Sequence, residues 1–322
     1  MEDGARALGP DAGRPAAAGM PRALRRPSAE PHHRRRRLGA LAGLAALAFI
    51  VGVAEGAGSG GTMHHLSAPQ SGFLARIRGL AGTGTGSLAA AEQAAENAAI
   101  NRTLSYTPAV QVAGAQHREI ALTFDDGPGP YTQRVLSVLE REGAPGTFFE
   151  VGSLEHYFNA GTSQILTDGF PIGDHTQTHA PMSQLSRRDQ RSQILQMTSS
   201  VGNFGAPFPR LFRPPYGLWN KTTLSILRKY RMLMVLWTVD TEDYRLPGVS
   251  SIVHTVLSGA QPGAIVLMHD AGGNRAETVE ALPKVIRGLR SRGYALVTVP
   301  RLLLDNPAPA NQQLSSTSGG GG

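Results

Sequence analysis

The segment LTFDDGPGPY (122–131) sets two carboxylates, Asp125 and Asp126, side by side where an apolar run meets a Gly-Pro break. Adjacent anions repel, and a bound cation removes much of that repulsion. One aspartate can then hold the cation while its neighbour faces a water. Downstream, His175 and His179 in GDHTQTH are four residues apart. On a helical turn that spacing puts both rings on one face, as metal-binding histidine pairs require. Two histidines and one carboxylate leave open coordination positions and suit zinc, with cobalt, nickel or iron as alternatives. Arg213 in FRPPYG needs an anionic partner if it is buried, and Asp125 is a candidate. Pro214 and Pro215 lack N–H groups, so the next free donor is the Tyr216 amide, usable at an oxyanion. His269 closes the run IVLMH beside Asp270 and reads as a general acid. Each feature alone has a plainer reading: Asp-Gly-Pro is ordinary turn chemistry, and a histidine ending an apolar run packs in many cores. Together they point to metal-assisted hydrolysis with a separate base and acid.

Such groups need a scaffold that delivers them to one place. Between about 117 and 306, short apolar runs alternate with amphipathic stretches. The expected strands are 119–124, 146–151, 170–173, 211–213, 232–239, 264–269 and 294–299; the expected helices are 131–142, 186–204, 220–230, 249–259 and 277–293. About seven β/α repeats imply parallel strands with crossover helices. The fold class expected is α/β, an irregular barrel-like (β/α)7 sheet, although an open doubly wound sheet gives the same string. In a parallel barrel the C-terminal strand ends share one rim, where active sites are built. Asp125 and Asp126, His175 and His179, Arg213, Asp240 and Asp243, and His269 all fall at such ends.

The remaining sequence bounds the alternatives. The chain has 322 residues, 41% of them hydrophobic, and no cysteine. That excludes disulfides, thiolate ligands and a cysteine nucleophile. The net charge of +7 is concentrated at the N-terminus, where residues 1–37 hold nine arginines and four acids. The folded part is close to neutral, which argues against a nucleic-acid partner. Residues 1–37 read as a disordered basic tail. Residues 38–54 carry no charge and follow four arginines, so they are expected to be a transmembrane anchor or a signal-peptide core. The arginines place the N-terminus in the cytoplasm and the rest outside the membrane. Residues 55–116 read as a linker with one short helix near 88–102, and 307–322 as a disordered tail.

The set TFDDGP, HTQTH, RPPYG, VDTEDY and LMH resembles the five motifs of the polysaccharide deacetylases, the chitooligosaccharide-deacetylase homology domain of carbohydrate esterase family 4. The resemblance spans about 119–300. It implies an irregular (β/α) barrel and a carbohydrate N-deacetylase. It also implies roles: Asp125 as the base that activates water; Asp126, His175 and His179 as metal ligands; Arg213 holding the base. Tyr216 would donate its amide to the oxyanion, His269 would protonate the departing amine, and Asp243 would tune His269. Trp237 and Leu267 would form the slot for the acetyl methyl. Two departures stand out. Tyr244 replaces a frequent Trp, and Asp174 precedes His175 where Asn is common. The expected substrate is an envelope amino sugar, peptidoglycan N-acetylglucosamine or N-acetylmuramic acid. Chitooligosaccharide, an exopolysaccharide, an O-acetyl ester and a non-catalytic wall-binding module are the alternatives. A glycoside hydrolase would need two carboxylates flanking a sugar, which adjacent aspartates do not provide.

Overall fold

The computed structural model describes residues 85–312 and Leu314. The expected basic tail, the apolar segment 38–54 and residues 315–322 lie outside the described residues. Among the described residues no helix is long and apolar enough to cross a membrane.

Nine strands form one parallel sheet: β1 (Ala109–Val110), β2 (Glu119–Gly127), β3 (Thr147–Glu150), β4 (Ile172–Asp174), β5 (Leu211–Phe212), β6 (Leu233–Val235), β7 (Val239–Asp240), β8 (Ile265–His269) and β9 (Ala295–Val297). Their spatial order is β1-β6-β5-β4-β3-β2-β8-β7, with β9 pairing β2. Among the described residues the α-helices are α1 (Thr85–Leu104), α2 (Thr132–Glu142), α3 (Asn159–Thr167), α4 (Arg187–Gly202), α5 (Lys221–Tyr230), α6 (Val249–Gly259), α7 (Ala276–Ser291) and α8 (Val299–Asp305).

Period-two alternation explains the layering. On β2, Ile120, Leu122 and Phe124 face outward and pack with Val135, Leu139, Val285 and Leu289 of α2 and α7. Ala121, on the opposite face, clusters with Phe149, Leu211, Leu233, Val235 and Ile265 of four other strands. This second face is the inside of the curled sheet. Two residues further along the same columns stand Asp125 beyond Ala121 and Thr123, Arg213 beyond Leu211, and His269 beyond Ile265 and Leu267. The interior is apolar at its N-terminal end and ionisable at its C-terminal end.

The sheet departs from the expected seven-strand barrel in two places. The expected fifth strand, 232–239, is split. Its first part, β6, pairs with β5, and its second, β7, pairs with β8. The gap has a physical cause: the Val235 and Leu236 carbonyls accept from the Arg213 guanidinium rather than from a neighbouring strand. The expected last strand does not stand beyond β8. Instead β8 pairs with β2 over Ala121–Asp125, and β9 pairs with the first three residues of β2. The ladder therefore ends in β1 and β7, a curled open sheet.

The packed region also reaches past the expected bounds of 117 and 306. Helix α1 is longer than the 88–102 expected and buries Ala99 and Ile100 against Leu302 and Leu303 of α8. Strand β1 pairs with β6 upstream of residue 117. Downstream, the Gln312 side chain accepts from the Gln111 amide and donates to the Val112 carbonyl, so residues to 312 are not a free tail. Helix α3 was not foreseen, because NAGTSQILT shows little amphipathic pattern. Helix α8 had a readable start: Thr298 caps the Arg301 amide, and Pro300 stands in the first turn.

Candidate active site

The two aspartates end β2, but not as successive strand residues. The register with β3 pairs Asp125 with Phe149 and Gly127 with Glu150, so Asp126 is an inserted residue, a β-bulge with φ 73°. A regular strand would send the two side chains to opposite faces. The bulge re-aims Asp126 so that both meet one imidazole. His175 Nε2 lies 3.7 Å from Asp125 Oδ2 and 3.5 Å from Asp126 Oδ1. Gly272 closes the other side: at φ 72°, a Cβ there would fall 2.3 Å from Asp126 Oδ2.

The histidines are brought together, but not by a helix. Residues 175–181 are loop, and Thr176 and His179 hold positive φ values of 72° and 55°. The spacing of four is satisfied by two left-handed residues, which replaces the helical turn expected from the sequence. The rings are 4.9 Å apart. His175 Nδ1 donates to the Arg213 carbonyl at 2.7 Å, and His179 Nδ1 lies 3.1 Å from the Tyr216 hydroxyl. Both Nε2 atoms are thereby turned to Asp126, that of His179 at 3.1 Å. Ligand atoms of Asp126, His175 and His179 lie within 4.8 Å of one another.

Arg213 is fully buried, and its Nη1 donates to Asp125 Oδ1 at 2.7 Å and to Thr123 Oγ1 at 2.8 Å. Its guanidinium lies 4.1 Å from the Phe149 ring centroid and 5.7 Å from that of Trp237. Phe149 is seated over Gly173, where a Cβ would come within 2.5 Å of its ring. Thr123 was missed by the sequence reading, although it precedes Asp125 by two residues and therefore shares its face.

His269 ends β8 directly opposite Asp125 in the register. Its partner is Asp243, not the neighbouring Asp270. Asp243 Oδ1 accepts from His269 Nδ1 at 2.6 Å, and Oδ2 accepts from the His269 amide at 2.9 Å and the Thr278 hydroxyl at 2.7 Å. Asp270 turns away to accept from Thr132, and burial pushes its carboxyl up to about 7. For His269, burial opposes the charged form, but the Asp243 carboxylate outweighs it and carries the imidazole up to about 9. Asp126, Asp125 and Asp240 add smaller attractions of the same sign. Thr278 in the first turn of α7 was also missed; nothing in its spacing signals the contact.

Tyr216 sits in a short turn at φ 59°, and its amide donates to no acceptor among the described residues. Leu267 is buried in β8, opposite Asp240 of β7. Trp237 is half-buried in the stretch between β6 and β7. Asp174, buried and next to His175, accepts from the Thr176 amide at 2.7 Å and shapes the histidine loop. Tyr244 is exposed at the rim with its ring 5.6 Å from that of His269.

Residues 113–235 match the polysaccharide deacetylase family. A peptidoglycan-N-acetylglucosamine deacetylase of Bacillus cereus is 38% identical over 187 residues, which are 57% of this chain and 87% of that protein. A chitooligosaccharide deacetylase of Sinorhizobium fredii is 32% identical over 211 residues, 62% of this chain and 98% of that one. Among solved structures, the Bc1960 peptidoglycan N-acetylglucosamine deacetylase superposes with a TM-score of 0.59 at 30% identity, covering 61% of this chain and 92% of its own.

Proposed function

Because this chain belongs to the polysaccharide deacetylase family, we propose that it hydrolyses the N-acetyl group of an envelope amino-sugar polymer and releases acetate. Peptidoglycan N-acetylglucosamine is the first substrate, with N-acetylmuramic acid as a second sugar of the same polymer. One observation carries the reading: Asp125 and His269 stand opposite one another on adjacent strands, with Asp126, His175 and His179 beside them. A base and an acid thus flank one position. The export reading of residues 34–54 agrees with an envelope substrate. A chitooligosaccharide is the second reading, favoured by the Sinorhizobium relative, which is matched over 98% of its length.

The donor set fits a divalent metal. Asp126 Oδ1 is buried and has no hydrogen-bond partner, while two imidazole nitrogens face it. Each imidazole spends its Nδ1 elsewhere, leaving Nε2 free to ligate. One carboxylate and two imidazoles suit zinc, with cobalt, nickel or iron as alternatives. A cation held there would supply polarisation of the acetamide carbonyl and a lower pKa for water.

The protein groups divide the remaining work. Asp125 takes the proton of the attacking water, held in place by Arg213 at Oδ1. The Tyr216 amide donates to the carbonyl oxygen as it gains charge. His269 gives its proton to the amine as the C–N bond breaks, and Asp243 fixes its ring and keeps it charged. Trp237 and Leu267 border the methyl. Water and amide are consumed; acetate and a free amine are formed.

The test is acetate release from peptidoglycan and from N-acetylglucosamine oligomers by the full chain, with zinc and with a chelator. Release that the chelator stops is expected, faster on peptidoglycan. Chelator-resistant release would sink the metal reading, and none from either polymer would sink the deacetylase reading.

A pH prediction follows from His269. Its pKa is raised, so the protonated acid persists up to about pH 9 and is lost above it. The matching stability contribution is fully present below the ordinary value of 6.5 and disappears as pH rises through about 9. In Asp243→Asn the alkaline limb of kcat should move down by at least about one pH unit, since the main partner of the imidazolium is gone. An unmoved limb would show that Asp243 does not set the acid.

A further inference from the structure

The two histidines are anchored differently. His175 is buried, and its Nδ1 is tied to a main-chain carbonyl, which only accepts. That bond by itself leaves Nε2 with its lone pair free. The His179 side chain is 27% exposed, on a loop residue at φ 55°, and the partner of its Nδ1 is the Tyr216 hydroxyl at 3.1 Å. The tyrosine ring meets the imidazole edge to face, with centroids 4.6 Å apart and planes at 65°. Tyr216 is itself 61% exposed, so core packing does not account for its position. A left-handed backbone at φ 59° presents it, an uncommon conformation for an aromatic residue. Its amide and its hydroxyl are therefore placed by one strained turn.

We infer that the Tyr216 hydroxyl is the positioning group for His179, resting on the metal site proposed above. By accepting from Nδ1–H it holds the imidazole in the tautomer whose Nε2 lone pair faces Asp126, and it stops the ring from flipping. An exposed ring bonded only to water would sample both tautomers and both ring orientations. Hydrogen-bond partners behind metal-ligating histidines raise affinity in this way, and removing one costs about 10–100-fold. Tyr216 thus joins two parts of the site: its side chain serves a ligand, and its amide serves the oxyanion.

The experiment measures zinc affinity of the full chain by chelator competition, together with ¹⁵N spectra of the metal-free imidazoles. Wild type is compared with Tyr216→Phe, Tyr244→Phe and His179→Ala. Tyr216→Phe keeps the ring and the amide and removes only the hydroxyl. It should raise the zinc dissociation constant about tenfold or more and abolish the Nδ1–H preference of His179. Tyr244→Phe, a rim tyrosine against His269, should leave both unchanged. Equal zinc affinity in wild type and Tyr216→Phe overturns the inference, as does weakened affinity with an unaltered tautomer. If wild type binds zinc no better than His179→Ala, the metal reading itself fails, which is a different result.

Discussion

Asp125→Asn is expected to lower kcat by about 10²–10⁴-fold, the usual worth of a positioned general base, and still to bind zinc. The substitution is isosteric. The Asn Oδ1 can still accept from Arg213 Nη1, which lies 2.7 Å from the native oxygen. What is lost is the basicity at Oδ2, the oxygen facing the histidine side of the site. Asp126, His175 and His179 keep their donor atoms. His179→Ala, in contrast, should lose both zinc and turnover, since it deletes one of the three side chains proposed to hold the metal. The assignment rests on this contrast between the Asp125 and His179 variants. Equal loss of zinc in the two variants would remove the division between base and ligand. Near-native turnover in Asp125→Asn would move the base elsewhere.

Arg213→Met is expected to destabilise the fold by about 3–5 kcal/mol, the cost of breaking a buried pair by removing one partner. The guanidinium holds five things at once: Asp125, Thr123, the carbonyls of Val235 and Leu236, and the face of Phe149. Methionine fills much of the volume but leaves Asp125 a buried, uncompensated carboxylate and orphans two carbonyls. Equilibrium denaturation of wild type, Arg213→Met and Arg213→Met/Asp125→Asn should show part of the loss recovered in the double variant, because the stranded charge is gone. A loss below about 1 kcal/mol would mean that water reaches Asp125 and satisfies it.

These residues show what was readable in advance and what was not. The alternation on β2 was readable, and it places Asp125 inward with Ala121. The arginine was readable as a buried group in need of an anion. The reach of its other donors was not, and those donors break the expected fifth strand: an apolar run such as 232–239 reads as continuous until a side chain claims two of its carbonyls. The bulge at Asp126 was unreadable for a related reason. Its signature is a left-handed backbone at an ordinary aspartate, and residue type alone does not announce it. For the histidines the spacing was right and the local structure wrong. A four-residue step can be made by one helical turn or by two positive-φ residues in a loop, and the sequence does not choose between them. The contact of His269 with Asp243 was anticipated only through the family resemblance; by proximity in sequence, Asp270 was the nearer choice.

Strand β2 pairs with β3, β8 and β9 and carries Thr123, Asp125 and Asp126 near its end. The sheet, in turn, begins and ends in the two-residue strands β1 and β7. Proteins open locally at very different free energies, least where contacts are few and most in the central elements. Breathing of this domain should therefore begin at its rims. The carboxylates, rooted in the strand that pairs with three others, should keep their places while Trp237 and Tyr244 come and go around them. That arrangement would suit the polymer substrate proposed above: the walls can yield to admit a chain while the carboxylates stay still.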